Sequence, residues 1–297
     1  MNTEGRPPAW LAGRVTQATG RRVASWRHAT GGYTPAERWI VGFDDGSSAF
    51  VKAGTPVNPD VAEWLRTEHR LYESIRARYL PRSLGWADDG EGSDTPVLLL
   101  EDLSAATWPP PWTTERVGRV LEALRQVAST EPPDWVPQLE QQDRQLRGWP
   151  LVQADPEPFL QLGVCSEAWL ERTLPALVEA EAAARLDGDA LMHVDVRSDN
   201  ICFAGDRTLL VDWNSVSVGN PAVDVAFWLP SLALEGGPQP EEVLPGEPEV
   251  VALVAGFFAC RAGLPPILTA PRVRTIQLAQ FRVALPWASR ALGLPPP

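Results

Sequence analysis

The chain has 297 residues, of which 44% are hydrophobic and 22% charged. That is enough apolar content for a sizeable core in one large domain or two lobes, and too much for a disordered chain. A net charge of −12 argues against nucleic acid or an anionic membrane surface as partner, and no run of 18 apolar residues marks a membrane span. The opening MNTEGRPPAWLAGR lacks the basic-then-apolar pattern of an export signal. Cys165, Cys202 and Cys260 are too dispersed for a metal-ligand pattern or an even disulfide set. They are expected to be buried free thiols in a reducing cytoplasm.

Of the 26 basic residues only Lys52 is a lysine; the rest are arginines. A compact ammonium on a flexible stem differs chemically from a planar guanidinium fork. Lys52 is therefore a candidate for a place where arginine would not serve.

In chain order, HATGGYTPAE (28–37) carries Gly31-Gly32 ahead of the first clear strand. Such a pair could bring backbone N–H groups against a phosphate, and it fits a plain flexible turn equally well. RWIVGFDDGSSAFVKAG (38–54) reads as a hairpin turning at Asp44-Asp45-Gly46-Ser47, with Lys52 near the end of its second strand. The segment 58–80 reads as a helix, with Asn58 as N-cap, Pro59 at the first position and Asp60 complementing the dipole. Its apolar stripe, Val61, Leu65, Tyr72, Ile75 and Tyr79, is completed by Glu68. A carboxylate on a core-facing stripe needs a partner, and Lys52 on the preceding strand is the expected one; the alternative is that Glu68 lies at the stripe's edge and reaches water.

TPVLLLEDL (95–103) reads as a buried strand, and the prolines of SAATWPPPW (104–112) allow neither strand nor helix to continue through them. The lobe boundary is placed there: 1–102 as an N-lobe for nucleotide and 103–297 as a C-lobe for catalysis and acceptor binding. Helices are expected over 113–130, over 166–186 with Ser166 as cap and Pro175 as a kink, and over 247–263 and 271–292. ICFAGDRTLLVDW (201–213) reads as a second hairpin turning at Gly205-Asp206. The fold class expected is α+β.

LMHVDVRSDN (191–200) places Asp195 and Asn200 five residues apart in H-x-D-x-x-x-x-N form, and Asp212 closes the hairpin after it. This arrangement suits phosphoryl transfer from a magnesium–nucleotide complex. One carboxylate orients or deprotonates an acceptor hydroxyl. An amide oxygen and a second carboxylate suit hard Mg²⁺, and a lysine fixed by a glutamate steadies the phosphates.

With these parts in this order, the sequence resembles the aminoglycoside phosphotransferase family, small-molecule kinases with a protein-kinase-like fold. The resemblance is most specific in HVDVRSDNICF (193–203), LLVDWNSVSVGNPAVDVAFW (209–228) and AFVKAG (49–54). It implies a two-lobe fold, an N-lobe of antiparallel sheet plus one helix and a mainly helical C-lobe. It further implies Asp195 as catalytic aspartate, Arg197 against the transferring phosphate, and Asn200 and Asp212 as magnesium ligands. Lys52, partnered by Glu68, would meet the α- and β-phosphates, and the adenine hinge would fall near Leu100–Leu103, making Glu101 and Leu103 nucleotide-binding candidates. Asp224 would brace the catalytic loop and His193 would be scaffold. ATP or GTP and Mg²⁺ are the implied cofactors.

Two positions depart from the family pattern. Val194 stands where glycine is usual, and Asn214 replaces the glycine of Asp-Phe-Gly, where asparagine can adopt a positive φ nearly as glycine does. They keep open an alternative, a nucleotide-binding pseudokinase or regulatory protein. A protein kinase is disfavoured, because GNPAVDVA comes too soon after Asp212 to leave room for a peptide-docking segment.

For the acceptor, residues 131–190 carry twelve acidic groups against four arginines, a net −8 of the chain's −12. That favours a cationic, hydroxylated small molecule, with Asp155, Glu157 and Glu167 as candidate contacts; solvated helix faces explain the same charge equally well. Trp108, Trp112, Trp135 and Trp149 could stack on a sugar ring or simply fill core.

Overall fold

The structure is a computed structural model that describes residues 6–29, 36–56, 58–90, 92–267 and 271–297. It divides into two compact units: Met1–Trp108 with Asp199–Ser215, and Pro109–Ser198 with Val216–Pro297. Residues 199–215, which carry Asn200 and Asp212, thus group with the N-terminal strands.

The first unit opens with α1 (Ala9–Thr19) and β1 (Val23–His28), neither expected from sequence. α1 has no side-chain cap and buries only Leu11 and Val15, so its periodic signal is thin. The first hairpin is β2 (Glu37–Phe43) and β3 (Ser48–Ala53), turning through Gly46 at φ 79. After it come α2 (Asp60–Ser74), β4 (Ser83–Ala87) and β5 (Val97–Glu101). The five strands form one antiparallel sheet in the order β1-β2-β3-β5-β4. Strand alternation decides what each face carries. Trp39, Val41, Phe43, Ala49, Val51, Ala53, Val97 and Leu99 form a buried cluster with Leu11 and Val15 of α1. Lys52, between Val51 and Ala53, faces the other way, toward α2.

α2 departs from the expected helix at both ends. Pro59, not Asn58, is the N-cap, and Asn58 Oδ1 accepts the Asp60 amide at 3.2 Å instead. The helix stops at Ser74, where Ile75 turns extended. Ile75 and Tyr79 remain buried, but beyond the helix, and the Tyr79 carbonyl accepts the Leu210 amide at 2.8 Å. A tertiary hydrogen bond takes the chain out of a helix its apolar spacing would have continued. The second hairpin, β7 (Ile201–Ala204) and β8 (Arg207–Leu210), turns at Gly205-Asp206 as expected.

The second unit is mainly helical: α3 (Thr114–Ala128), α4 (Asp143–Leu146), α5 (Trp149–Ala154), α6 (Glu157–Leu160), α7 (Glu167–Ala183), α8 (Ala222–Leu234), α9 (Pro240–Val243), α10 (Pro248–Ala262) and α11 (Val273–Ala291). A short ladder, β6 (Ala190–Met192) with β9 (Ser217–Gly219), brackets the catalytic-loop motif. α3 and α7 start where sequence placed them: Thr113 and Ser166 accept the amides of Arg116 and Trp169. Pro175 lies inside α7. α10 is mostly apolar and central, burying residues 250–256 with Phe258, Ala259 and Ala262. Trp149 is fully buried against Phe159 and Phe281 and donates to the Ala252 carbonyl, so it is core, whereas Trp108 is 38% exposed. Among the described residues no helix is long and apolar enough to cross a membrane.

Candidate active site

In the first unit, the turn at Asp44–Gly46 sets the β2–β3 register, which pairs Arg38 with Lys52. Their side chains therefore share the sheet face that α2 covers. Lys52, 7% exposed, donates from Nζ to Glu68 Oε2 at 2.6 Å and to Asp212 Oδ1 at 2.7 Å. Glu68, 1% exposed, also accepts the Tyr72 hydroxyl at 3.0 Å. Each buried charge is met, as its desolvation requires. Burial presses the Lys52 ammonium down, but the pull of Glu68 and Asp212 outweighs it and holds the group above its ordinary value. Burial lifts the Tyr72 phenol well above its usual range, with Glu68 adding to the effect. Lys52 is thus a fixed cation between two carboxylates.

Arg38 is the residue that sequence reading missed. Burial lowers its guanidinium from the ordinary value, while the charges of Asp212 and Glu68 raise it. The signal was present, since counting outward from the Asp44–Gly46 turn puts residue 38 opposite 52.

Asp212 takes the left-handed conformation, φ 67, and Asn214 sits in a single 3-10 turn, Trp213–Ser215. Asn214 is not among the described residues with positive φ, so the conformation open to asparagine is not used there. The aspartate itself absorbs the reversal, because Trp213 is fully buried and its indole donates to the Leu210 carbonyl at 2.7 Å, closing the turn. Asn200, 4% exposed, ends another 3-10 turn, and its carbonyl accepts the Val211 amide at 2.9 Å. The hairpin ladder thereby brings the backbones of Asn200 and of the residue before Asp212 together.

The hinge candidates divide. Glu101 ends β5, and its 7%-exposed carboxylate is taken by the Arg82 amide at 2.9 Å and by Arg207 at 2.8 Å and 3.1 Å. Burial would raise this carboxyl, but Arg207 and Arg82 hold it below the usual range. Its side chain is committed to the protein, and its backbone N–H donates to the Arg82 carbonyl at 2.9 Å. Leu103 lies in the turn after the strand. Gly31 and Gly32 lie outside the described residues.

In the second unit, Asp224 in the first turn of α8 accepts the amides of His193 and Val194, each at 2.7 Å. Burial raises the Asp224 carboxyl, with His193 and the two amides opposing. Val194 has φ 67, unusual for a β-branched residue. It adopts the conformation that a glycine would reach without strain, and the two amide bonds hold it there. His193 is fully buried, and its Nδ1 accepts the Asp195 amide at 3.2 Å. The Asp195 and Arg197 side chains are 34% and 33% exposed and pair at 3.3 Å. The acidic candidates for the acceptor are exposed and sit at helix ends: Asp155 caps the end of α5 and accepts the Glu157 amide, Glu157 begins α6, and Glu167 begins α7. Of the cysteines only Cys202 is fully buried, its thiol pushed up to about 12 by burial; Cys165 and Cys260 are half-buried. That corrects the expectation for those two, which lie at helix margins.

The family model described as a phosphotransferase enzyme family matches residues 25–246, about three quarters of the chain. No curated protein matches. Solved structures share the fold at low identity. A spectinomycin phosphotransferase, in complex with ADP and spectinomycin, is 12% identical over 98% of this chain and 99% of its own, with a TM-score of 0.56. A choline/ethanolamine kinase family protein from Mesorhizobium loti is 16% identical over 96% and 94%, with a TM-score of 0.57. An amicoumacin kinase, in complex with AMP-PNP, Ca²⁺ and its substrate, is 13% identical over 93% and 92%, with a TM-score of 0.54. The extent of the family match and the kinase-like α+β fold of these neighbours agree: this chain belongs to the phosphotransferase enzyme family, whose members are small-molecule kinases.

Proposed function

We propose that the protein transfers the γ-phosphoryl group of ATP, with Mg²⁺, to a hydroxyl of a small cationic molecule such as an aminoglycoside-like antibiotic or an amino sugar, in the cytoplasm. The observation that carries this reading is the buried pairing of the sole lysine with Glu68 and Asp212. A fixed ammonium of this kind, beside a carboxylate that can serve a metal, suits a nucleotide's phosphates. Asn200 and Asp212 offer an amide oxygen and a carboxylate, a hard-oxygen pair that fits magnesium completed by phosphate oxygens and water. Bound there, the ion would neutralise charge on the phosphate oxygens.

In this reading Lys52 steadies the α- and β-phosphates and Glu68 fixes Lys52. Asp195 orients the acceptor hydroxyl and takes its proton as that oxygen bonds to the γ-phosphorus; the bond to the bridging β-phosphate oxygen breaks and ADP keeps its electrons. Arg197 balances charge on the phosphoryl group in transfer. His193 and Asp224 hold the loop that carries Asp195. Two fold neighbours are complexes with ADP and with AMP-PNP, which supports ATP as donor. The acidic segment 131–190 supports a cationic acceptor, although Asp143 and Asp187 are paired with Arg147 and Arg185.

The test is ADP release from Mg-ATP against aminoglycosides, other cationic antibiotics, amino sugars, choline-like alcohols and neutral sugars, with Asp195→Asn as the blank. An acceptor-dependent rate that vanishes in the blank is expected. Retained turnover in Asp195→Asn refutes its role, and silence across the panel with nucleotide still bound favours a pseudokinase.

A further inference from the structure

Asp224 holds the start of the catalytic loop, and the same helix holds its far end. Ser198, three residues after Asp195 and two before Asn200, donates its hydroxyl to Glu235 Oε1 at 2.6 Å. Glu235 is the residue that ends α8. Its other oxygen accepts the Trp112 indole N–H at 2.8 Å, and Trp112 packs edge-on against the fully buried Trp228 of α8 at 5.4 Å. Glu235 is thus held from outside the loop while it holds the loop.

Asp224 and Glu235 are eleven residues apart, which along a helix is about 16 Å. Val194 to Ser198 is four residues, whose fully extended reach is about 14 Å. The two lengths are comparable, so the loop runs alongside α8 rather than away from it, and the side chains of Asp224 and Glu235 cover the remainder. Asp195 and Arg197 lie in the stretch between the two grips, half-exposed and bonded to each other. A segment tied only at its start would leave Arg197 and Ser198 free to swing; one tied at both ends holds the Asp195 carboxylate in a single place.

We infer that Glu235, acting through Ser198, is a positioning residue for the catalytic loop, so that the two ends of α8 clamp the segment carrying Asp195. The inference rests on Asp195 being the catalytic aspartate. Neither Ser198 nor Glu235 touches the reacting atoms in this reading; both act on where Asp195 stands.

Ser198→Ala is the discriminating variant, because it removes the tie and leaves the Glu235–Trp112 bond intact. The assay is ADP release from Mg-ATP with the most active acceptor of the panel and, in parallel, with water alone. Misplacing a reacting group by even an ångström costs rates heavily, so kcat is expected to fall about tenfold or more. The KM for ATP should stay within about twofold and the melting temperature within a few degrees, since one half-exposed hydroxyl is lost. Ser198→Thr, which keeps the hydroxyl, should restore most of the rate. Glu235→Ala should lower kcat as Ser198→Ala does, with an added loss of stability from the freed indole, and combining the two should lower kcat no further. Parental kcat in Ser198→Ala, or a loss that Ser198→Thr does not recover, overturns the clamp. Asp195→Asn separates the two levels: if it abolishes turnover while Ser198→Ala keeps the full rate, only the clamp fails; if it keeps turnover, the catalytic reading fails first.

Discussion

Replacing Lys52 with arginine keeps the charge and changes the shape, so it isolates what the lone lysine contributes. Nζ sits 2.6 Å from Glu68 and 2.7 Å from Asp212 in a site where the residue is 7% exposed. A guanidinium is one bond longer and planar, and Arg38 already occupies the cross-strand position on the same face. Overfilling a packed site costs about 1–3 kcal/mol. For a chain of this size that is a drop of several degrees in melting temperature, at roughly 2–4 °C per kcal/mol. If the displaced charge also loses about 1.4–2.8 kcal/mol of phosphate interaction, nucleotide affinity falls about 10- to 100-fold. Differential scanning fluorimetry with and without Mg-ATP reads the first effect, and the KM for ATP in the coupled ADP assay reads the second. The nucleotide-dependent rise in melting temperature should shrink along with the affinity. Unchanged melting temperature and unchanged KM would mean that the single lysine is an accident of composition, and would remove the observation on which the phosphotransfer chemistry of this site rests.

Glu181 in α7 is fully buried and accepts the amides of Gly148 at 2.8 Å and Trp149 at 3.1 Å, yet burial pushes its carboxyl from 4.5 up to about 7, with those amides and Arg147 pulling against the rise. The folded chain therefore keeps a proton that the unfolded chain releases, so this stabilisation is complete below pH 4.5 and is lost as pH rises through about 7. At 1.36 kcal/mol per pH unit it amounts to about 3 kcal/mol. Glu181→Gln should flatten the fall in melting temperature between about pH 4.5 and pH 7, and parallel curves for the two proteins would refute the assignment. Val194→Gly should relieve a left-handed valine worth about 1–2 kcal/mol and cost about 0.5–1 in chain entropy. Thermal stability should then stay level or rise by up to about 1.5 kcal/mol, with kcat close to parental; a loss of several kcal/mol would show that the valine side chain, not the backbone shape, is what the fold needs there.

The parts of the site legible in the sequence were those with local signatures. The Asp44–Gly46 turn announced its hairpin, and the spacing along α2 exposed Glu68 as a carboxylate in an apolar stripe that needs a cation. The apolar spacing of 113–130 and the cap Ser166 placed the starts of α3 and α7 to within a residue. The illegible parts depend on partners distant in the chain. α1 is recognisable only through the sheet it covers, and α2 ends early because a carbonyl at residue 79 finds the amide of residue 210. Glu101 read as a hinge contact because it closes a buried strand; that Arg82 and Arg207 take its carboxylate is a fact of tertiary structure. α8 offered no helical period at all, since its apolar residues lie on every side and a proline sits inside it.

The two positions that looked like defects, Val194 and Asn214, resolve in different ways. Positive φ at a non-glycine residue costs about 1–3 kcal/mol and persists only where neighbours over-determine it. At Val194 the over-determination is visible: one buried carboxylate takes two consecutive amides at 2.7 Å each, and hydrogen bonds to a charged group contribute about 1.5–3 kcal/mol apiece. That exceeds the strain, so the loop does not need a glycine to hold its shape. At the other position the strain has moved two residues upstream, to Asp212, whose carboxylate is gripped by Lys52 while the buried Trp213 closes the turn behind it. In both places the backbone shape that glycine would permit is instead imposed by the bonds of a carboxylate, Asp224 to two amides and Asp212 to Lys52. The same charges that would serve phosphoryl transfer, or hold the residues that do, thus also define the local fold. The missing glycines therefore carry no weight against an active enzyme, because the backbone shape they would permit is present without them.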